Sequence, residues 1–299
     1  MLQKQRARFG YFLVMPALLL VVLLNVVPLI QGLILSVQSQ NLIRPNPDAF
    51  VGARHYVRAL TADPEFWNAT TNTFVWTFGS VAVAYVLSLC LALLLNLDIR
   101  GRSVMRALFL IPWVVPNVVT ALLWKWFYND QYGVANFVLL KLGLVQEPVQ
   151  WLSTPEAAMP SVIAVQVWKL YPLMTVVLLA ALQNVPREVI EAAKVDGANA
   201  WHRFWNVTLN FIRPQSMLIV LLCAIWTFQS FDIIYLLTGG GPGGATQNLA
   251  VMVYTKAFWA SQLGYASAIG VLMMAILVAL GLAQQVLDHY FSRRAGENG

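Results

Sequence analysis

The sequence predicts an all-α integral membrane protein with six transmembrane helices. Two observations carry this expectation. Of the 299 residues, 59% are hydrophobic and only 11% charged, against roughly 25% charged in a soluble globular protein. The apolar residues also come in blocks longer than the ~18 residues that span a bilayer, which a soluble protein with a large core does not explain. The net charge of +6 is spread as short basic clusters between the blocks. That is a topology signal, not a nucleic-acid footprint.

The elements follow in order. Lys4, Arg6 and Arg8 precede a first span at 11–37, which contains Pro16 and Pro28. It is long and lacks a small-residue cleavage site, so it is expected to remain as an anchor. Residues 41–69 are polar, with Asp48, Asp63 and Glu65, and predict a loop with one short helix. The second span is expected at 73–95. A basic turn at 98–106 leads into the third, 104–128, which holds Pro112 and Pro116 and ends in the aromatic cluster WKWFY of a membrane interface. The apolar run 134–145 is too short to cross and predicts an interfacial helix. The fourth span is expected at 159–183 and the fifth at 216–237. A glycine-rich turn, TGGGPGGA at 238–245, reads as flexible. A second short interfacial helix is expected at 249–259. The sixth span, 265–286, precedes Arg293 and Arg294. Residues 1–69 then form an N-terminal helix with its outer loop, and 70–292 a core of five spans.

Sidedness follows from the basic residues. Six spans put both termini on one side, and twelve of the 19 Lys and Arg fall there, in the N-terminal segment, the 98–106 turn, the stretch between the fourth and fifth spans, and the tail. Positive-inside bias makes that side cytoplasmic. Cys90 and Cys223 lie in apolar blocks without CxxC spacing and read as small buried residues.

The stretch between the fourth and fifth spans, EAAKVDGANAWHRFWNVTLNFIRP at 191–214, is polar and basic. Residues 187–194 have helical composition, with Glu188 and Glu191 where the helix dipole favours acids. Gly197 turns the chain sharply. Residues 198–205 suit a second short helix carrying Trp201, Phe204 and Trp205 along one side. Exposed aromatics beside Ala192, Ala193, Ala198 and Ala200 mark an interface rather than a solvated loop.

These residues resemble a family signature: Glu-Ala-Ala, three residues, Gly, then an aliphatic–x–Leu–Pro ending. Glu191, Ala192, Ala193 and Gly197 match, followed by Val207, Thr208 and Leu209. Asn210 stands where the family usually has proline, and Pro214 follows four residues on. FVGARHY at 50–56, FLIPWVVP at 109–116, WKLYP at 168–172 and LTGGGP at 237–242 extend the likeness to most of the chain. The sequence is similar to the carbohydrate-importing ABC permeases, in particular the maltose-transporter F-type subunit and its relatives.

The resemblance implies a type I ABC importer permease fold in the bacterial or archaeal inner membrane. It implies that the segment about 187–206 is a coupling helix, with Glu191, Ala192, Ala193, Asp196, Gly197 and Ala198 docking on a cytoplasmic ATPase. The implied partners are two copies of that ATPase, a second related permease in a heterodimer, an extracellular sugar-binding protein, and the lipid bilayer. ATP and Mg would be bound by the ATPase. No cofactor or metal is expected on this chain, and it is not expected to be an enzyme. No Gly-x-x-x-x-Gly-Lys-Ser/Thr motif occurs, the glycine-rich turn lacks the lysine, and His55, His202 and His289 lie in loops or at helix ends.

Polar residues inside spans are costly and mark pathways. The fourth span offers Gln166, Trp168, Lys169 and Tyr171, and the fifth Trp226, Thr227, Gln229, Ser230 and Asp232. Aromatic faces with amides and hydroxyls suit a sugar. Aligned on the motifs, the family's sugar contacts imply Gln166, Trp168, Lys169, Trp226, Thr227 and Ser230, together with Leu173 and Cys223. Gln229 and Asp232 read instead as helix-end groups, and Lys169 is free to snorkel or to pair with Asp232. The alternative reading is a stand-alone secondary transporter or channel. It calls for inverted repeats and deep carboxylates, and neither is evident.

Overall fold

The computed structural model describes residues 14–41, 43, 49–98 and 100–297, with side-chain environments to residue 286. The start of the first span at Tyr11 lies outside the described residues, as do Lys4, Arg6, Arg8, Arg44 and Asp48. So do the side chains of His289, Arg293 and Arg294. Among the described residues five helices are long and apolar enough to cross a membrane, and a bent helix pair makes a sixth span if counted as one. The described residues are mostly helix joined by loops, and the strand pairing among them is a two-residue antiparallel ladder, β1 (Gln38–Ser39) with β2 (Ala49–Phe50). In lipid every backbone group must find an internal partner, and the helix is the local way to do that.

The chain forms two compact units, residues 1–66 with 252–276 and residues 67–251 with 277–299. The first holds α1 (Val14–Ser36), whose apolar window is entirely unburied. It also holds α2 (Arg54–Thr61), the one short helix expected in the first loop. Ser36 closes α1 by donating to the Leu33 carbonyl and accepting from Tyr56 Oη, each at 2.6 Å. Two ionic or charge-assisted contacts, Lys256 with Glu65 and Tyr265 with Asp63, and an Arg58 guanidinium 4.1 Å above the Tyr265 ring knit the polar end of this unit.

The second unit is built on α3 (Pro64–Leu95), α4 (Arg102–Val114), α5 (Asn117–Phe127), α6 (Val134–Lys141) and α7 (Pro155–Gln183). It continues with α8 (Arg187–Val195), α9 (Ala200–Phe228) and α10 (Asp232–Thr238). Among the described residues three helices run across the division between units: α3, α11 (Leu249–Trp259) and α12 (Leu263–Glu297). The central element is α7, which packs against α4, α5, α9 and α10. Three apolar clusters run along it, among them Val162 and Val165 with Trp76 and Ile233, Leu170 and Met174 with Ile219, and Leu178 and Leu182 with Ile212.

Four sequence expectations change. The second span starts at Pro64, nine residues before the expected 73. The third is not one helix but α4 and α5, bent by 96°. Val115, β-branched and followed by Pro116, is extended (φ −63°, ψ 128°), because the proline ring disfavours helical geometry in the residue before it. Pro112, by contrast, sits inside α4. The fifth span, expected at 216–237, runs over Ala200–Phe228 and breaks before α10. Pro214 lies within the helix without stopping it, whereas the break comes where Asn248 Nδ2 takes the Ser230 carbonyl at 2.7 Å. Finally, the 249–259 helix is exposed at one end only: Phe258 is 63% and Trp259 70% exposed, whereas Leu249 and Val251 are fully buried.

Candidate functional site

The stretch 187–206 forms the expected helix–turn–helix. Pro186 is extended ahead of α8, Glu188 lies in its first turn and Lys194 in its last. The helix closes with the Ala198 amide on the Ala193 carbonyl at 3.0 Å and the Gly197 amide on Lys194 at 3.1 Å. This is a Schellman pattern, which needs a left-handed residue after the helix. Gly197 supplies it at φ +79°. Asn199 then caps α9, its Oδ1 accepting from the His202 amide at 2.8 Å. The Arg203 guanidinium donates back to the Ala198 carbonyl at 2.6 Å. The two helices enclose a groove of about 480 Å³ whose lining includes Ala193, Asp196, Gly197, Ala198, Asn199 and His202. Glu191 and Ala192 are exposed on α8 outside that lining. Val195 is 87% exposed and Trp201 71%, the Trp201 ring resting edge-on against Trp205 with centroids 5.5 Å apart.

The second short helix does not end where the sequence suggests. It continues through a π-turn at Phe204–Thr208 straight into the fifth span. Asn210 Nδ2 donates to the Asn206 carbonyl at 2.7 Å. Where the family's usual proline would remove an N–H, asparagine keeps its own and adds a side-chain bond inside the helix.

A second concavity lies where α4–α5 and α9–α10 break beside α7. It measures about 290 Å³ and is lined by Trp113, Asn117, Gln166, Lys169, Leu170, Leu173, Trp226, Ser230 and Asp232. Broken helices at membrane depth are tolerated where they line a cavity. Lys169 Nζ donates to the Trp113 carbonyl at 3.2 Å and to the Val115 carbonyl, at the break in the third span. It therefore does not pair with Asp232, whose Oδ2 accepts from Asn117 Nδ2 at 3.4 Å. Gln166 is buried, and its Nε2 donates to Thr227 Oγ1 at 3.1 Å. Thr227 is itself fully buried, its carbonyl accepting from Trp76 Nε1 at 3.0 Å.

Of the pathway candidates, Gln166, Lys169, Trp226 and Ser230 meet in this cavity. Trp168 and Thr227 do not line it: Trp168 packs edge-on to Trp124, ring centroids 5.9 Å apart. Of the two further matched positions, Leu173 lines it and Cys223 is buried. Sequence reasoning missed Trp113 and Asn117 and set Asp232 aside. Pro112 and Pro116 signalled a kink, but not that it would fold onto Lys169.

The glycine-rich turn is tightly bonded. The Gly244 carbonyl accepts from Asn68 Nδ2 at 3.0 Å and Asn72 Nδ2 at 2.9 Å, and Thr246 Oγ1 donates to the Gly241 carbonyl at 2.6 Å.

Residues 84–295 match the family described as "Binding-protein-dependent transport system inner membrane component". The chain is 38% identical over 278 residues to the trehalose/maltose transport system permease protein MalF of Thermococcus litoralis, covering 93% of this chain and 92% of that one. It is 37% identical over 264 residues to the sulfoquinovosyl glycerol transport system permease protein SmoG of Agrobacterium fabrum, covering 88% and 85%. In structure it is similar to a chain of a bacterial ABC transporter that imports the acidic polysaccharide alginate. The TM-score is 0.81 at 22% identity, over 97% of this chain and 96% of that one.

Proposed function

The chain belongs to the family of binding-protein-dependent transport system inner membrane components, and from that premise we propose that it is a permease subunit of an ATP-driven carbohydrate importer. It forms half of the path for a saccharide or polyol handed over by an extracellular binding protein. The named cargoes of two relatives, trehalose/maltose and sulfoquinovosyl glycerol, support that class of cargo. The second half of the path comes from a related permease, and two copies of an ATPase, which bind ATP and Mg, drive it from the cytoplasm. Both termini and the 187–206 loop lie on the cytoplasmic side in this reading, which the positive-inside bias of the basic segments supports.

The observation that carries the coupling role is the exposed helix–turn–helix closed at Gly197. Its groove and its uncovered Val195 and Trp201 offer a partner a rigid, shaped surface. Residues Glu191, Ala192, Ala193, Asp196, Gly197 and Ala198 form the docking element, and Gln166, Lys169, Trp226 and Ser230 the sugar contacts, with Trp168 and Thr227 supporting them. A Cβ on Gly197 meets nothing within 4 Å, so a side chain there costs only the left-handed backbone, about 1–2 kcal/mol, and projects towards the partner. Gly197→Trp and Glu191→Lys are expected to abolish uptake while membrane insertion persists. Full uptake in either variant, measured with labelled sugar in cells carrying the whole importer, removes the coupling role.

A further inference from the structure

We propose that Arg203 is a positioning residue for transport: it locks α8 to α9, so that the two turn as one lever when a partner moves α8. This rests on the coupling reading above and assigns one residue a part within it. The joint between the helices is 196–199, and Gly197 gives it a left-handed backbone. A glycine joint is conformationally permissive, so it transmits a push only if something else holds it. No residue of α8, of 200–203 or of the 204–208 π-turn is buried, so no packed core fixes the angle there.

Hydrogen bonds take that place. Ala198 is bonded to both sides of the joint. Its amide donates back to the Ala193 carbonyl of α8 at 3.0 Å, and its carbonyl accepts from Arg203 Nη1 of α9 at 2.6 Å. In a continuous helix that carbonyl would take the amide four residues on, which belongs to His202. The Asn199 cap has claimed the His202 amide at 2.8 Å. The Arg203 guanidinium serves the carbonyl in its place, with a charge-assisted bond stronger than a neutral one. Nearer the start of α8, Ile190 leans on the apolar cluster of Leu178, Leu182 and Ile212, as does Leu209 of α9. The helix pair is therefore tied at two points along α8. From Arg203 the helix continues unbroken through 204–208 into the fifth span, whose far part brings Trp226 to the cavity. With Arg203 in place a displacement of α8 reaches the span; without it the Gly197 joint absorbs the movement.

The test measures ATP hydrolysed per sugar taken up by the complete importer in lipid vesicles. Arg203→Met is expected to raise that ratio about two- to thirtyfold, the range over which single residues modulate coupling, with the ATPase still co-purifying. Arg203→Lys keeps a cationic donor and is expected to recover most of the coupling. Amide exchange at Ala198 in Arg203→Met is expected to quicken about tenfold. A residue that only stabilises the fold would lower uptake and hydrolysis together, and an unchanged ratio overturns the proposal. Loss of ATPase co-purification in step with uptake also overturns it, because Arg203 would then be a contact of the partner. If Arg203→Met does not insert, Arg203→Gln takes its place with the same rise expected. Full uptake in Gly197→Trp overturns the coupling reading itself. An unchanged ratio in Arg203→Met, where Gly197→Trp abolishes uptake, overturns only the role of Arg203.

Discussion

Asn136 shows how one polar side chain organises a loop that no hydrophobic pattern describes. It is 2% exposed. Its Oδ1 accepts from the Val149 amide and from Trp151 Nε1, and its Nδ2 donates to the Val149 carbonyl, all at 3.0 Å. These bonds pin the 129–155 segment onto α6. Asn136→Ala strands several buried groups and is expected to cost about 1–3 kcal/mol locally, read as faster amide exchange at Val149 and Trp151. In the sequence Asn136 is one more polar residue at the edge of an apolar run. Nothing local says which backbone it will meet thirteen residues on. Trp168 has the opposite history. Its type and position suit a sugar contact, but its ring lies against Trp124, because packing settles which way a side chain on a buried helix points.

At the scale of elements, the breaks matter most. The third span breaks where Val115 precedes Pro116, and Lys169 of α7 supplies donors to the carbonyls exposed there. Lys169→Met removes those donors and is expected to cost about 1–3 kcal/mol, read as a fall of a few degrees in thermal unfolding of the purified chain, with Lys169→Arg largely restoring it. An unchanged midpoint in Lys169→Met would show that water serves the carbonyls equally well. The break was legible in part, since a Val-Pro pair inside an apolar run is a known weak point. Its 96° bend was not, because the angle depends on what the far side packs against: α5 lies on α10 and α7. The α9–α10 break carries no proline at all. It depends on Asn248 claiming a carbonyl eighteen residues away, a contact that sequence periodicity does not encode. The helix–turn–helix at 187–206 is the contrary case. Its turn is a local Schellman closure, so Gly197 in the sequence was enough to locate it.

At the scale of the molecule, the described apolar length of α1 and the helix–turn–helix at 187–206 both present exposed apolar side chains. Large exposed apolar surface marks contact with lipid or protein. The chain is expected to co-purify in mild detergent with an ATPase and a second, related permease, and to move no sugar in liposomes by itself. ATP-independent uptake by the isolated chain would instead favour the stand-alone transporter. What the amino-acid sequence by itself determined is what short-range chemistry governs: the apolar blocks that demand a bilayer, and the glycine-closed turn between the fourth and fifth spans. Only the tertiary structure decided where two spans break, that Lys169 caps one break instead of neutralising Asp232, and which of the polar residues share a cavity. Those outcomes depend on carbonyls and side chains brought together from distant parts of the chain, where each buried polar group takes whichever partner packing delivers.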